Sequence, residues 1–233
     1  MKKLDFTFHT PEQNLACDEA LLDWCDQEDG PEILRFWEPS RHFVVLGISN
    51  SLESETHPEI CRANRIPILR RTSGGGAVLQ GPGCLNFSLI LKIGDSGPLK
   101  SILQTNRHIL TRHKEVLEPL LGSAIGIEGD TDLTVDRRKF SGNSQRRKKH
   151  ALLFHGSFLL SMNIKLIEKL LPIPSRQPSY RRNRSHQTFL KNLPLGAALI
   201  KEALTNCWGA SDLLRPDEIP LERIPGPEQL SPL

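Results

Sequence analysis

Apolar positions along this chain fall into short dense runs and longer periodic stretches. The runs at 32–37, 42–47, 66–71, 77–79, 85–91 and 151–160 are rich in Ile, Leu, Val, Phe and Trp and are bounded by Gly, Pro or Ser, a pattern that predicts strands. Between them, 15–25, 58–64, 99–121, 165–171 and 196–206 carry Leu, Ile and Ala at helical spacing. Asn14 is placed to cap the first of these helices, and Gly30-Pro31 to stop it. Residues 130–135 and 139–145 read as two short strands about a turn at Asp136-Arg137-Arg138, and 178–182 as irregular and basic. Strands bracketed by helices imply a mixed α/β (α+β) domain. It is expected over 1–210, with a Pro-rich tail over 211–233 that is too short to bury a core of its own and leaves no C-terminal accessory domain.

The densest chemistry lies in 69–91, LRRTSGGGAVLQGPGCLNFSLIL. It reads as a hairpin-like run whose connections are rich in glycine. Gly74, Gly75 and Gly76 permit positive φ and let backbone N–H groups approach a ligand closely. Arg70 and Arg71, just before them, add planar donors suited to phosphate or carboxylate. An anionic small molecule is the natural ligand, although a glycine triplet also fits a flexible turn and an arginine pair a solvated strand end. The spacing is neither that of a dinucleotide fingerprint nor that of a P-loop.

A second stretch, TDLTVDRRKFSGNSQ over 131–145, sets Lys139 before a small-residue turn at Ser141-Gly142. That places one ammonium beside exposed backbone, as a reaction joining a carboxylate to a triphosphate requires. Ten residues further on, His155 interrupts an otherwise apolar run. Taken singly, Lys139 is a surface lysine and His155 a hydrogen-bonded core residue.

Composition narrows the class. The chain has 233 residues, 38% of them hydrophobic, a net charge of +3 and five scattered cysteines without metal spacing. A reduced, cytoplasmic protein without structural zinc follows from the cysteines, and no apolar run approaches a membrane span or signal-peptide core. Basic residues gather at 137–139, 146–149 and 181–184, where they are either solubilising loops or a surface for ATP and acidic proteins; nucleic acid is the lesser reading.

RRTSGGGAV, then GPG and LNFSLIL, together with NLACDEALL, LRFWEPSRHFVVLG and the ordered DL, KFSGNSQ and HG segments, resemble the lipoate–protein ligase A and octanoyltransferase family over roughly residues 10–200. The catalytic domain of that family is related to that of biotin–protein ligases. The resemblance implies that Lys139 is the essential lysine, contacting both the acyl carboxyl and the α-phosphate. It implies a pocket for the acyl adenylate lined by Arg70, Arg71, Ser73, Gly74, Gly75, Gly76, Ala77, Cys84, Ser141 and Gly142, with His155 beside it. ATP would meet Gly76, Val78, Asp132 and Arg146, and Asp132 would help hold Mg²⁺. Lipoate would be the acid activated, and the acceptor a lysine on a lipoyl domain of 2-oxoacid dehydrogenases or on the glycine-cleavage H protein. A separate accessory-domain protein is a possible partner.

Transferases of this family use a cysteine thioester instead of ATP. By the resemblance their two nucleophile positions fall here on Ala124 and near Ile173, and no cysteine lies between Leu85 and Asn206. That favours the ligase. Cys84, which departs from the Asn or Gln of relatives, is the remaining transferase route, and a non-catalytic binder of acyl adenylates or lipoyl domains is the third reading.

Overall fold

The structure is a computed structural model and describes residues 1–220. In chain order its strands are β1 (Lys2–Asp5), β2 (Ile33–Trp37), β3 (Phe43–Leu46), β4 (Ile68–Arg70), β5 (Val78–Gln80), β6 (Cys84–Lys92), β7 (Gly126–Glu128), β8 (Asp132–Val135), β9 (Arg138–Arg147), β10 (Ala151–Leu159) and β11 (Asp212–Leu213). The helices are α1 (Pro11–Cys25), α2 (Leu52–Glu55), α3 (Pro58–Ala63), α4 (Ile102–Leu121), α5 (Ile164–Leu170), α6 (His186–Phe189) and α7 (Ala197–Trp208). Eight strands form one sheet in the order β11-β1-β2-β6-β10-β9-β8-β7, and β4-β3-β5 form a second. The sheet is mixed, as the sequence implies: β1 runs parallel to β2 and β11, and the other pairs of the large sheet are antiparallel.

Alternation along the central strands builds two different faces. Leu34, Phe36, Phe87, Leu89, Leu152, Phe154 and Phe158 pack with Ile109, Leu110 and Leu117 of α4 and Ile200 and Leu204 of α7. On the opposite face α1 covers one end, setting Cys17, Leu21, Leu22 and Cys25 on Ile33, Ile90 and Leu153. The small sheet lies on that same side. Phe43, Val45 and Leu69 meet Trp37, while Val44, Leu46 and Ile68 turn outward onto α3 and α5.

Three expectations change. The run 69–91 is not a hairpin: β3 lies between β4 and β5, and β6 belongs to the other sheet. Thr10, not Asn14, caps α1, its hydroxyl accepting from Gln13 N–H with Pro11 next in the first turn. Asn14 instead sits inside α1 and clips the preceding chain, exchanging hydrogen bonds with Phe8 N–H and the carbonyls of Phe8 and Thr10. Finally, 139–145 is a strand as expected, but Ser141-Gly142 runs straight through it and makes no turn. Of the segment expected to form a tail, β11 pairs with β1, and Leu214 and Ile219 pack among the α1 residues; 221–233 lie outside the described residues.

Candidate active site

Register lines up polar side chains on the face not used by α4 and α7. Arg35, Ser88, His155 and Ser144 form one row across β2, β6, β10 and β9. Trp37, Asn86, Ser157, Gly142 and Asp132 form the next. The alternation of LNFSLIL produces this: Asn86 and Ser88 point to the site while Phe87 and Leu89 enter the core.

Over these rows hangs the loop 72–77 between β4 and β5. Arg71 organises it from within. Its Nε donates to Ser73 Oγ at 3.1 Å, and its Nη2 donates to the carbonyls of Gly74 and Gly76 at 2.6 and 2.9 Å. Ser144 Oγ also donates to Gly74 O, Ile48 N–H to Ser73 O, and Arg146 Nη1 to Thr72 O, each at 2.9 Å. Carbonyls 72, 73, 74 and 76 are therefore all held by protein donors. The N–H groups of Gly74, Gly75 and Gly76 meet no acceptor among the described residues. Gly75 has φ of 89°, and a Cβ on Gly47 would lie 2.1 Å from its carbonyl oxygen, so the loop passes flush against bare backbone. Unbonded amides on an immobilised loop form a receptor for a carboxylate or phosphate. Burial lowers the Arg71 guanidinium to about 10, which leaves it charged at neutral pH. Arg70 turns away, donating to the carbonyls of Gly47 and Asn50 at 2.9 and 2.8 Å. Both arginines thus act on backbone carbonyls, a use the sequence does not announce.

Lys139 enters from β9. The pairing Leu133↔Ser141 is followed by Thr134↔Lys139, so Phe140 is an extra residue bulged out of register. The bulge aims Lys139 back along the strand, where Nζ lies 2.7 Å from Asp132 Oδ1. Asp132 Oδ2 accepts from the Tyr180 hydroxyl, also at 2.7 Å. Burial and the Asp132 charge push the Tyr180 phenol well above its usual range, so it stays a donor. The lysine lies over Gly142, whose Cβ would come within 2.6 Å of Lys139 Cε and Nζ. Gly142 and Ser144 are two residues apart on one face of β9, roughly 7 Å, and Ser144 touches the glycine loop. Asp132 has both oxygens engaged, and no group of three His, Cys, Asp or Glu among the described residues could hold a metal. Asp132 as it stands does not fit a magnesium ligand.

His155 is tied to both sides of the site. Its Nε2 lies 2.6 Å from Ser73 Oγ, and its Nδ1 lies 3.5 Å from Asp18 Oδ2. Asp18 in turn accepts from Arg35 Nη1 at 2.6 Å and from Ser88 Oγ at 2.7 Å, and Arg35 also donates to Asn14 O and Oδ1. Burial works against charge on Asp18, but Arg35, His155 and Ser88 outweigh it and hold the carboxyl below its usual range. Sequence reading missed Asp18, Arg35, Asn14, Ser88 and Tyr180. Arg35 in the middle of ILRFW was the available signal, because a strand buried at every residue has no solvent for a guanidinium.

Ser141 and Cys84 are buried. Burial pushes the Cys84 thiol up to about 12, and Leu79 and Met162 share its apolar cluster. Ala77 packs on that same cluster, and Val78 on the one around Trp37. The basic runs are largely fixings: Arg147 donates to Leu99 O, Lys148 pairs with Asp23, Arg138 donates to Leu190 O, and Arg184 to Tyr180 O.

Residues 10–198 match the family described as the lipoyl protein ligase A/B catalytic domain. The chain is 27% identical over 238 residues to the octanoyltransferase LipM of Oceanobacillus iheyensis, covering 91% of this chain and 86% of that protein. It is 29% identical over 211 residues to a putative lipoate-protein ligase A of Aeropyrum pernix, covering 91% and 75%. Its fold is similar to that of a bi-partite lipoate protein ligase from Thermoplasma acidophilum, solved in work that includes its E2 lipoyl domain, with a TM-score of 0.77, 23% identity and coverage of 96% and 91%. A lipoate-protein ligase A bound with ATP is similar at a TM-score of 0.74, 23% identity and coverage of 96% and 93%. With the profile spanning most of its length, the chain belongs to the lipoyl protein ligase A/B catalytic domain family.

Proposed function

We propose that the protein is an ATP-dependent ligase that joins lipoate to AMP and passes the lipoyl group to a lysine of a lipoyl domain. The observation that carries this reading is the pairing of a lone lysine over bare Gly142 with a loop of unbonded glycine amides. An adenylation step brings a carboxylate against a triphosphate, and both carry negative charge to one place. Lys139 offsets that charge, and the amides of Gly74 to Gly76 hold the anionic group by close backbone approach. A magnesium ion would travel on the nucleotide's own phosphates and neutralise them, since Asp132 is committed to Lys139 and Tyr180.

The ligase reading is preferred over the thioester reading on chemical grounds. A thioester route needs a thiolate, and burial holds Cys84 in the opposite state. Cys207 touches Arg112 O between α7 and α4, on the other side of the sheet from Lys139. The likeness to LipM keeps the transferase as the second reading. The likeness to a bi-partite ligase supports a further proposal, that a separate accessory protein speeds adenylation while transfer from preformed lipoyl-AMP needs none. All five cysteines are free thiols, which supports a reducing, cytoplasmic setting, and no helix among the described residues is long and apolar enough to cross a membrane.

The test is purified protein with ATP, Mg²⁺, lipoate and a lipoyl domain, read by intact mass of the acceptor. ATP-dependent lipoylation is expected. Octanoyl transfer from acyl carrier protein without ATP, and none from lipoate with ATP, would replace this reading with the transferase.

A further inference from the structure

Resting on the acyl-transfer reading above, we propose that Ser73, His155 and Asp18 form a one-way relay that takes up the proton shed by the attacking lysine amine. Asp18 is its positioning residue. The two ends of the chain set its direction, because Arg71 can only donate and the Asp18 carboxylate can only accept, which calls for the ring hydrogen on Nδ1. A guanidinium has no acceptor, so Arg71 Nε donates to Ser73 Oγ at 3.1 Å. The Ser73 hydrogen is then free to point at its nearer neighbour, His155 Nε2, at 2.6 Å. With Nε2 accepting, the ring hydrogen sits on Nδ1, which faces Asp18 Oδ2 at 3.5 Å. Asp18 is a carboxylate fixed by Arg35 and Ser88, and it can only accept. A ring that gains a second proton becomes a cation beside that carboxylate, and the 3.5 Å gap shortens in that state.

The chemistry requires such an acceptor in one half-reaction only. In adenylation a carboxylate attacks phosphorus and pyrophosphate leaves, so no N–H proton is released. In transfer the amine nitrogen bonds to the acyl carbon, the bond from that carbon to the phosphate oxygen breaks, and AMP leaves with the electron pair. The nitrogen then carries one proton too many. It passes to Ser73 Oγ, directly or through one water, as the Ser73 proton moves to His155 Nε2, and is later released to solvent. Ser73 immediately precedes the three glycines and is buried, so the water-bridged route is the one its setting favours, and the His155 side chain, 15% exposed, has the outlet this needs.

The same contacts would also pin the loop if their role were purely structural, and the two half-reactions separate these cases. A loosened loop harms both steps, because both use the glycine amides. Loss of the relay slows transfer alone. In Asp18→Asn and His155→Gln the ratio of transfer rate, measured from preformed lipoyl-AMP, to adenylation rate, measured as pyrophosphate release, should fall about 100-fold. The KM for the lipoyl domain should stay near that of the wild type. Nitrogen NMR of His155 should give the Nδ1–H tautomer in the wild type and a mixture in Asp18→Asn. If Asp18→Asn leaves Arg35 unpaired and does not fold, His155→Gln carries the kinetic comparison. Equal losses in both half-reactions, or an Nε2–H tautomer in the wild type, would overturn the relay. Wild-type protein that transfers octanoate from acyl carrier protein but not lipoate from lipoyl-AMP would overturn the ligase reading, and the same variants then test the relay on that donor.

Discussion

Lys139 Nζ lies 2.7 Å from Asp132 Oδ1, and the Tyr180 hydroxyl takes the other oxygen of the same carboxylate. The ammonium is thereby held in one orientation while a quarter of its side chain stays open to solvent. Lys139→Ala should fold, because the pair sits at the margin of the core, and should lose about 100-fold or more in lipoyl-AMP formation. Folding is checked by thermal melt and the loss by pyrophosphate release; adenylation near the wild-type rate would remove Lys139 from the mechanism.

Gly142→Ala tests the same arrangement without touching a functional group. The added Cβ would come within 2.6 Å of the end of the Lys139 side chain, and a flexible terminus gives way easily. The melting temperature should therefore change little. A displaced ammonium should still cost about 10- to 100-fold in kcat for adenylation. A variant with unchanged kcat would show that the lysine works from another position.

Cys84→Ala should keep most ligation activity, with any loss appearing in stability. The thiol lies within the cluster of Leu79 and Met162, and its pKa is pushed up to about 12 by burial. Activity is read by acceptor mass after the stability of the variant has been matched by temperature. Abolished turnover in a folded variant would revive the thioester route.

Acid should destabilise the fold through histidines buried in neutral form. Burial, helped by Arg112, lowers His113 from 6.5 to about 3, and burial with Arg181 lowers His186 to about 4. Below pH 6.5 the unfolded chain takes up protons that the folded chain refuses, so stability falls as pH drops from 6.5 toward the folded values. For His113 alone the loss by pH 4 is on the order of 3 kcal/mol. Urea midpoints across this range measure it, and His113→Gln, which can still accept from Trp208 Nε1, should flatten the slope.

Most strands and helices were legible because each carries its own period. The strand over 139–145 was legible, but Ser141-Gly142 within it was misread as a turn from its composition, whereas its glycine serves to admit the Lys139 side chain. Of the candidate site, the glycine loop stands out by its composition, whereas Lys139, one of many basic residues in DRRKFSGNSQRRKK, is singled out only by the resemblance of its motif. Asp18, Arg35 and Ser88 could not be joined to His155, because their meeting depends on the register of β2, β6 and β10 and on where α1 lies. A helix carrying Asp18-Glu19 does not reveal that only Asp18 faces inward. The arginine pair shows a different limit. Its charge is plain in the sequence, but apart from the Ser73 hydroxyl the partners it uses are backbone carbonyls, which every residue has.

The glycine loop separates two properties that are usually measured as one. Four of its carbonyls are pinned, yet the amides of Gly74, Gly75 and Gly76 have no acceptor among the described residues. Amide hydrogen exchange there should run at nearly the rate of an unfolded chain, although the pinned carbonyls should keep the backbone still on the nanosecond scale. An exchange map would mark this loop as floppy, whereas spin relaxation would mark it as rigid. When an anion binds, those three amides should slow with little change in spin relaxation around them, because the carbonyls of the loop are held beforehand.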